Sequence, residues 1–241
     1  MDFLEKDAVG ESTLSVISKA DKFNDWMYEI INPFCKGRIL EIGSGIGNMS
    51  DCFNKDDKTI LLSDIRKGYC DVLSQKYQNS SNVLGVQLID LIDPHFDAIN
   101  QELFGSFDTV FALNVVEHVE DDNQAIKNCK KLLKKGGRLI ILVPSYDLLY
   151  NGLDKELGHY RRYNKKKLSK LFVDNDFNII HKGYFNSVGL AGWVFTGSIL
   201  KKDTIPDKQM GVYNNLVPVF KILDKAFTPF FGLSTIVVGV K

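Results

Sequence analysis

From Arg38 onward the chain repeats one rhythm: a short apolar run, a turn, then a helix-like segment. The runs are RILEI (38–42), TILLSD (59–64), NVLGVQLID (82–90), FDTVFALN (107–114) and GGRLIILVP (136–144). Helix-like stretches fall between them, around 49–54, over 67–77 and over the charged DDNQAIKNCKKLLKK (121–135), which Gly136-Gly137 is expected to stop as a C-terminal cap. Apolar strands alternating with helices predict crossover units and a mainly parallel sheet. Right-handed crossovers place helices on both faces, and ligands then bind beyond the C-terminal strand ends.

After Pro144 the rhythm changes. Residues 145–163 read as a loop rich in Tyr, Gly and charge, and 165–172 as a helix. FNIIHKGYF (177–185) and STIVVGVK (234–241) read as strands, and the long intervening stretch with Trp193, Pro206, Pro218 and Pro229 is expected to form a helical cap. The length of 241 residues suits one domain over 1–241, with a helical segment at 1–36 and substrate-side insertions at 145–164 and 186–232.

The first run leads into ILEIGSGIGNMS (39–50), where Gly43, Ser44, Gly45 and Gly47 form a tight turn before a helix. Glycines there let a ligand approach the backbone, and the helix start offers unpaired N–H groups. The spacing is G-x-G-x-G, with Asn48 where the dinucleotide fingerprint G-x-G-x-x-G has its last glycine. Glu41 stands on the strand end, where a carboxylate repels a pyrophosphate and suits a cation. Asp64 closes the second run, the place from which a carboxylate accepts from both ribose hydroxyls, and Ile65 is placed to cover an adenine face. Asp90 and Leu91 end the third run as candidates for the adenine amino group and ring, and Asn114 and Val115 lie at the mouth of the same crevice.

These motifs in this order, E-x-G-x-G-x-G, an acid ending each of the next two strands, then LNVVEHVEDD and KKLLKKGGRLIILVPS, resemble the class I S-adenosylmethionine-dependent methyltransferases. The resemblance implies a Rossmann-like doubly wound α/β sheet of seven strands, with STIVVGVK inserted antiparallel beside the fifth. It implies S-adenosyl-L-methionine as cofactor and S-adenosyl-L-homocysteine as product. Glu41, Gly43, Gly45 and Gly47 would surround the methionine part, Asp64 the ribose, Asp90 and Leu91 the adenine, and Asn114 the sulfonium end. The DKELGHYRRYNKKKL segment (154–168) is similar to that of a bacterial subgroup whose relatives are sometimes joined to glycosyltransferases, which points to a small-molecule, glycan or lipid-linked acceptor.

Methyl transfer is an in-line displacement needing alignment, exclusion of water and, for a hydroxyl acceptor, a base. His118, just beyond the fourth run, and His159, in LGHYRRY, are the candidate catalytic residues, because imidazole exchanges protons near neutrality. Tyr160, Arg161 and Trp193 are candidate acceptor-binding residues, the guanidinium forks of Arg161 and Arg162 matching phosphate or carboxylate. His95 and His181 lack supporting context. Trp26 and Tyr28, in the amphipathic FNDWMYEIINPF, are read first as core packing and second as a cover for the cofactor.

Thirty basic and thirty acidic residues give a formal net charge of +0, so no nucleic-acid partner is expected. No Asn/Asp-Pro-Pro-Tyr/Phe segment follows the fourth run either. Cys35, Cys52, Cys70 and Cys129 are scattered without metal-ligand spacing, so no metal is expected and the thiols are read as reduced, in a cytoplasmic protein. The acidic N-terminus lacks the apolar core of a signal peptide. The uncharged stretch 183–200 holds four glycines and reads as buried or substrate-facing rather than spanning; with the aromatic 217–231 it raises peripheral membrane contact. The alternatives are an NAD(P)-dependent oxidoreductase or epimerase, against which the glycine spacing and Glu41 argue, and a noncatalytic cofactor-binding module of the same fold.

Overall fold

A computed structural model describes residues 8–194 and 207–241. Two helices, α1 (Ala8–Ser18) and α2 (Asp21–Ile31), precede β1 (Ile39–Ile42). There follow α3 (Ser50–Lys55), β2 (Ile60–Asp64), α4 (Lys67–Lys76), β3 (Val83–Leu88), α5 (Phe96–Asn100), β4 (Phe107–Leu113), α6 (Asp122–Leu132) and β5 (Leu133–Pro144). The last part holds α7 (Gly152–Glu156), α8 (Lys165–Asp174), β6 (Asn178–Phe185), α9 (Ser187–Trp193), α10 (Asp207–Phe227) and β7 (Ser234–Val240).

The seven strands form one sheet in the order β3-β2-β1-β4-β5-β7-β6. β1 pairs in parallel with β2 and β4, whereas β7 runs antiparallel to both β5 and β6. Strand periodicity explains why two cores exist. Leu40, Leu61, Val110 and Ile141 face one way, onto Ala125, Ile126 and Cys129 of α6 and Phe172 of α8. Their neighbours Ile39, Ile60, Phe111 and Ile140 face the other way, onto Trp26 and Ile31 of α2 and Phe53 of α3. Every residue of β1 and β2 is buried, as a strand covered on both faces requires.

Two boundaries depart from the sequence pattern. The helix α6 ends at Leu132 and not at the double glycine, because β5 starts at Leu133, which is fully buried and registers with Phe107. The register shifts between Phe107 and Thr109, so the exposed Lys134 and Lys135 and then Gly136 (φ 77°) sit in a bulged strand. β3 stops at Leu88, two residues before Asp90.

The cap is a docked element. In α10, the amide of Asn214 accepts from the Phe23 N–H at 3.0 Å and donates to Asp21 of α2 at 2.7 Å. The buried Asp224 accepts from the Asn186 and Ser187 N–H groups at 2.9 and 2.6 Å, fixing the turn between β6 and α9. Residues 195–206, which include Pro206 and the end of the uncharged stretch, lie outside the described residues. Among the described residues no helix is long and apolar enough to cross a membrane. Trp26 is buried against Phe185 with ring centroids 4.7 Å apart, so it packs the core, and Tyr28 donates its hydroxyl to Asp56.

Candidate active site

The C-terminal ends of β1, β2, β4, β5 and β6 share one sheet edge. Backbone strain gathers there. Asn114 (φ 53°), Tyr146 (φ 63°) and Asn186 (φ 62°) follow β4, β5 and β6 in a conformation L-residues rarely adopt.

The glycine turn after β1 is built for close approach. Gly43 has φ 73°, and a Cβ there would lie 2.4 Å from Cγ2 of Val115, so the first turn and the segment after β4 touch directly. Gly47 has φ 87°, and its Cβ would lie 2.6 Å from the Tyr77 hydroxyl, which donates to the Gly47 carbonyl. Leu14 of α1 reaches Gly45 from the other side. The Ser44 N–H donates to the Ser63 carbonyl, and the Ser44 hydroxyl accepts from the Ser63 N–H, so the loop is clamped to the end of β2.

Two carboxylates serve this loop at different depths. Asp64 is almost buried and accepts from the N–H groups of Gly45 and Arg66, each at 2.9 Å. Burial raises its pKa, opposed by those two N–H groups. Glu41 lies deeper, beneath the loop, accepting from the Ser50 hydroxyl; burial pushes it up to about 7 against the hydrogen bonds of Ser50 and Ser44. Two carboxylates and a Cβ-free cradle fit a cationic ligand where a dinucleotide would bring its pyrophosphate.

Ile65 is exposed beside Asp64. Asp90 uses one oxygen to accept from the Ile92 N–H at 2.9 Å, turning the chain after β3, and Leu91 is buried with its carbonyl held by Asn128 at 2.9 Å. The Asn114 side chain is exposed at the crevice mouth, while its N–H donates to the Leu142 carbonyl at 2.8 Å.

A second cluster lies beyond Asn114. The 3-10 turn Val116–His118 sends Glu117 inward, fully buried, with neither carboxylate oxygen hydrogen-bonded. Burial pushes Glu117 up to about 8, with Arg162 acting the other way. The Tyr160 N–H donates to the Glu117 carbonyl at 2.8 Å and brings the 159–163 segment alongside. His118 and His159 consequently meet edge to face, with centroids 4.6 Å apart. Nδ1 of His159 lies 2.7 Å from Oδ1 of Asp154, which also accepts from Nε of Arg162 at 2.8 Å. Its other oxygen accepts from the Asn151 N–H at 2.9 Å. Burial raises Asp154, but His159 and Arg162 outweigh it and hold the carboxyl below its ordinary value.

Both arginines of the LGHYRRY segment have partners within the protein. Arg161 pairs with Asp122 at 3.0 Å and donates to the Glu120 carbonyl, which ties it to the start of α6. Arg162 is buried, donates to the Ser145 carbonyl at 3.1 Å and lies 4.4 Å from the Trp193 ring centroid. Trp193 therefore covers an internal ion pair, and Tyr160 is exposed. Asp154 and the buried Glu117 were not singled out from the sequence, although D-x4-H in DKELGHYRR carried the signal for Asp154.

A family model described as "Methyltransferase domain" matches residues 40–141. Polyketide synthase PksR of Bacillus subtilis is 28% identical over 155 residues, covering 56% of this chain, and the chain spans only 6% of that synthase's own length. A SAM-dependent methyltransferase from Archaeoglobus fulgidus superposes with a TM-score of 0.60 at 14% identity, covering 92% of this chain and 94% of that one. Phosphoethanolamine N-methyltransferase 2 of Haemonchus contortus, solved with S-adenosyl-L-methionine, gives 0.62 at 16% identity over 93% and 56% of the two chains. The two structures show the same fold. Residues 40–141 thus match a methyltransferase domain, and the strand order and glycine turn with Asp64 stand in the fold that S-adenosylmethionine-dependent methyltransferases share.

Proposed function

We propose that this protein methylates a hydroxyl of a small-molecule, glycan or lipid-linked acceptor presented at the C-terminal edge of the sheet. One observation carries the reading: the His159–Asp154 pair, with His118 and Glu117 beside it, sits next to the Asn114 turn that borders the glycine loop. An amine or thiol acceptor needs little more than positioning, whereas a hydroxyl gains from a held base.

S-adenosylmethionine, when bound, supplies an activated methyl group on a cationic sulfur. Gly43, Gly45 and Gly47 would cradle its methionine part, and Asp64 its ribose. Asn114 and Val115 would border the reacting end, and Asp90 and Leu91 the adenine. Asp154 holds His159 in the tautomer that leaves Nε2 as acceptor, and Arg162 keeps Asp154 ionised. The proton of the acceptor hydroxyl passes to this imidazole set. The PksR match favours a small-molecule acceptor, the region it shares with this chain being a minor part of a synthase.

A lipid-linked acceptor draws support from α10 and the turn after it, where Val212, Val219, Ile222 and Phe230 are all more than half exposed. Co-sedimentation with anionic vesicles tests that variant of the reading.

Calorimetry with S-adenosylmethionine and S-adenosylhomocysteine tests the core of the proposal. Binding of both, and loss of methyl transfer to hydroxylated acceptors in His159→Ala with cofactor binding intact, is the expected result. Absence of binding to either compound would overturn it.

A further inference from the structure

We propose that Glu117, His118 and His159 together bind one divalent transition-metal ion at the acceptor end of the crevice. The three side chains come from two segments, the turn after β4 and the loop after α7, and one ligating atom from each lies within 4.8 Å of the others. Two donors on one ion with bonds of about 2.1 Å stand no more than about 4.2 Å apart. The remaining contraction is small, and His118 is the exposed member of the trio.

The buried carboxylate is the second observation. Glu117 has 0% exposure, and both of its oxygens lack a hydrogen-bond partner. Buried carboxylates are ordinarily paired or bound to metal. The neighbouring guanidinium, Arg162, is committed to Asp154 and the Ser145 carbonyl. A cation between Glu117 and the two imidazoles supplies what the protein leaves out.

The third is the shell behind His159. A metal-binding imidazole commonly engages a carboxylate through its other nitrogen, which fixes the tautomer and raises its basicity. Asp154 does this at Nδ1, and Asp154 is itself held by Arg162 and the Asn151 N–H. Nε2 is left to face the ion.

Two imidazoles and one carboxylate favour Zn2+, Co2+, Fe2+ or Mn2+ over Mg2+ and Ca2+, which prefer oxygen donors. Three protein ligands leave coordination positions open, and an acceptor oxygen there would be polarised toward ionisation. With the ion bound, the imidazoles act as ligands, and its Lewis acidity replaces their role as base. This use of the ion rests on the methyl-transfer reading, whereas the binding itself does not.

Titration of the tag-free full chain with Co2+, followed by visible absorption, and with Zn2+ and Mn2+ by calorimetry, tests the site. One equivalent is expected to bind, with imidazole-type Co2+ bands. His118→Ala, at an exposed position, and Glu117→Gln are each expected to weaken binding by at least the roughly 10- to 100-fold typical of an outer-shell change, and Asp154→Asn by about that amount. Wild-type protein that takes up none of the three ions, or that binds them as well as His118→Ala does, overturns the proposal. S-adenosylmethionine affinity, measured on the same samples, fails separately if the methyltransferase reading is wrong.

Discussion

Oδ1 of Asp154 receives both Nδ1 of His159 and Nε of Arg162, at 2.7 and 2.8 Å, in a pocket where Asp154 and Arg162 are essentially buried. One carboxylate thus orients an imidazole at the crevice and neutralises a guanidinium behind it. Removing it strands the buried charge of Arg162. Asp154→Ala is expected to destabilise the protein by about 3–5 kcal/mol, the range for breaking a buried ion pair. His159→Ala leaves the Arg162 pair in place and should lose much less. Urea denaturation of the two variants makes the comparison, and equal losses would contradict this division of labour.

Gly43 and Val115 bring the glycine loop against the segment after β4. Gly43→Ala adds a Cβ 2.4 Å from Val115 at φ 73°. A cost of about 2–4 kcal/mol is expected, combining overpacking with backbone strain. Val115→Ala in the same chain should return the packing share and leave the conformational share. A double-mutant cycle showing no coupling would refute the contact as the cause.

Asp64 is the carboxylate proposed to meet the cofactor's ribose, and it accepts from the Gly45 N–H of the glycine turn. Asp64→Ala is expected to weaken S-adenosylmethionine binding by about 10- to 100-fold, the worth of hydrogen bonds to a charged group. Part of that loss comes through Gly45, whose N–H the carboxylate holds. Asp64→Asn keeps an acceptor oxygen and should recover some affinity. Calorimetry on both variants measures the difference.

Glu41 makes stability depend on pH. Burial raises its folded pKa to about 7 from the ordinary 4.5. Between those values the unfolded chain releases a proton that the folded chain keeps, so stability falls as pH rises through that window. The effect amounts to at most about 3 kcal/mol, and bound cationic cofactor should reduce it. Glu41→Gln, which cannot ionise, should flatten the slope. Denaturation curves across the window, in wild type and variant, give the answer, and parallel slopes would exclude Glu41 as the source.

Much of this protein is encoded locally. The alternation of apolar runs and helices determines a covered parallel sheet, because strand and helix periods show within a dozen residues. The glycines at 43, 45 and 47 and the acid at 64 mark the crevice, since a positive-φ turn and a carboxylate at a strand end are properties of short segments. Trp26 as core followed in the same way from the amphipathic stripe of α2. The end of α6 did not, because the buried pairing of Leu133 with Phe107 overrides a glycine cap that looks sufficient in isolation. Arg162 reads from sequence as a fork for an oxyanion, and only packing shows that Asp154 already occupies it. The same holds for Glu117: its residue type was visible, but its complete burial and its two unpartnered oxygens arise when the 159–163 segment folds over the turn after β4. Short-range pattern therefore determined the sheet and the glycine turn after β1. Long-range contact decided which charges are already paired and which are left to meet a ligand, because pairing depends on neighbours that no local pattern contains.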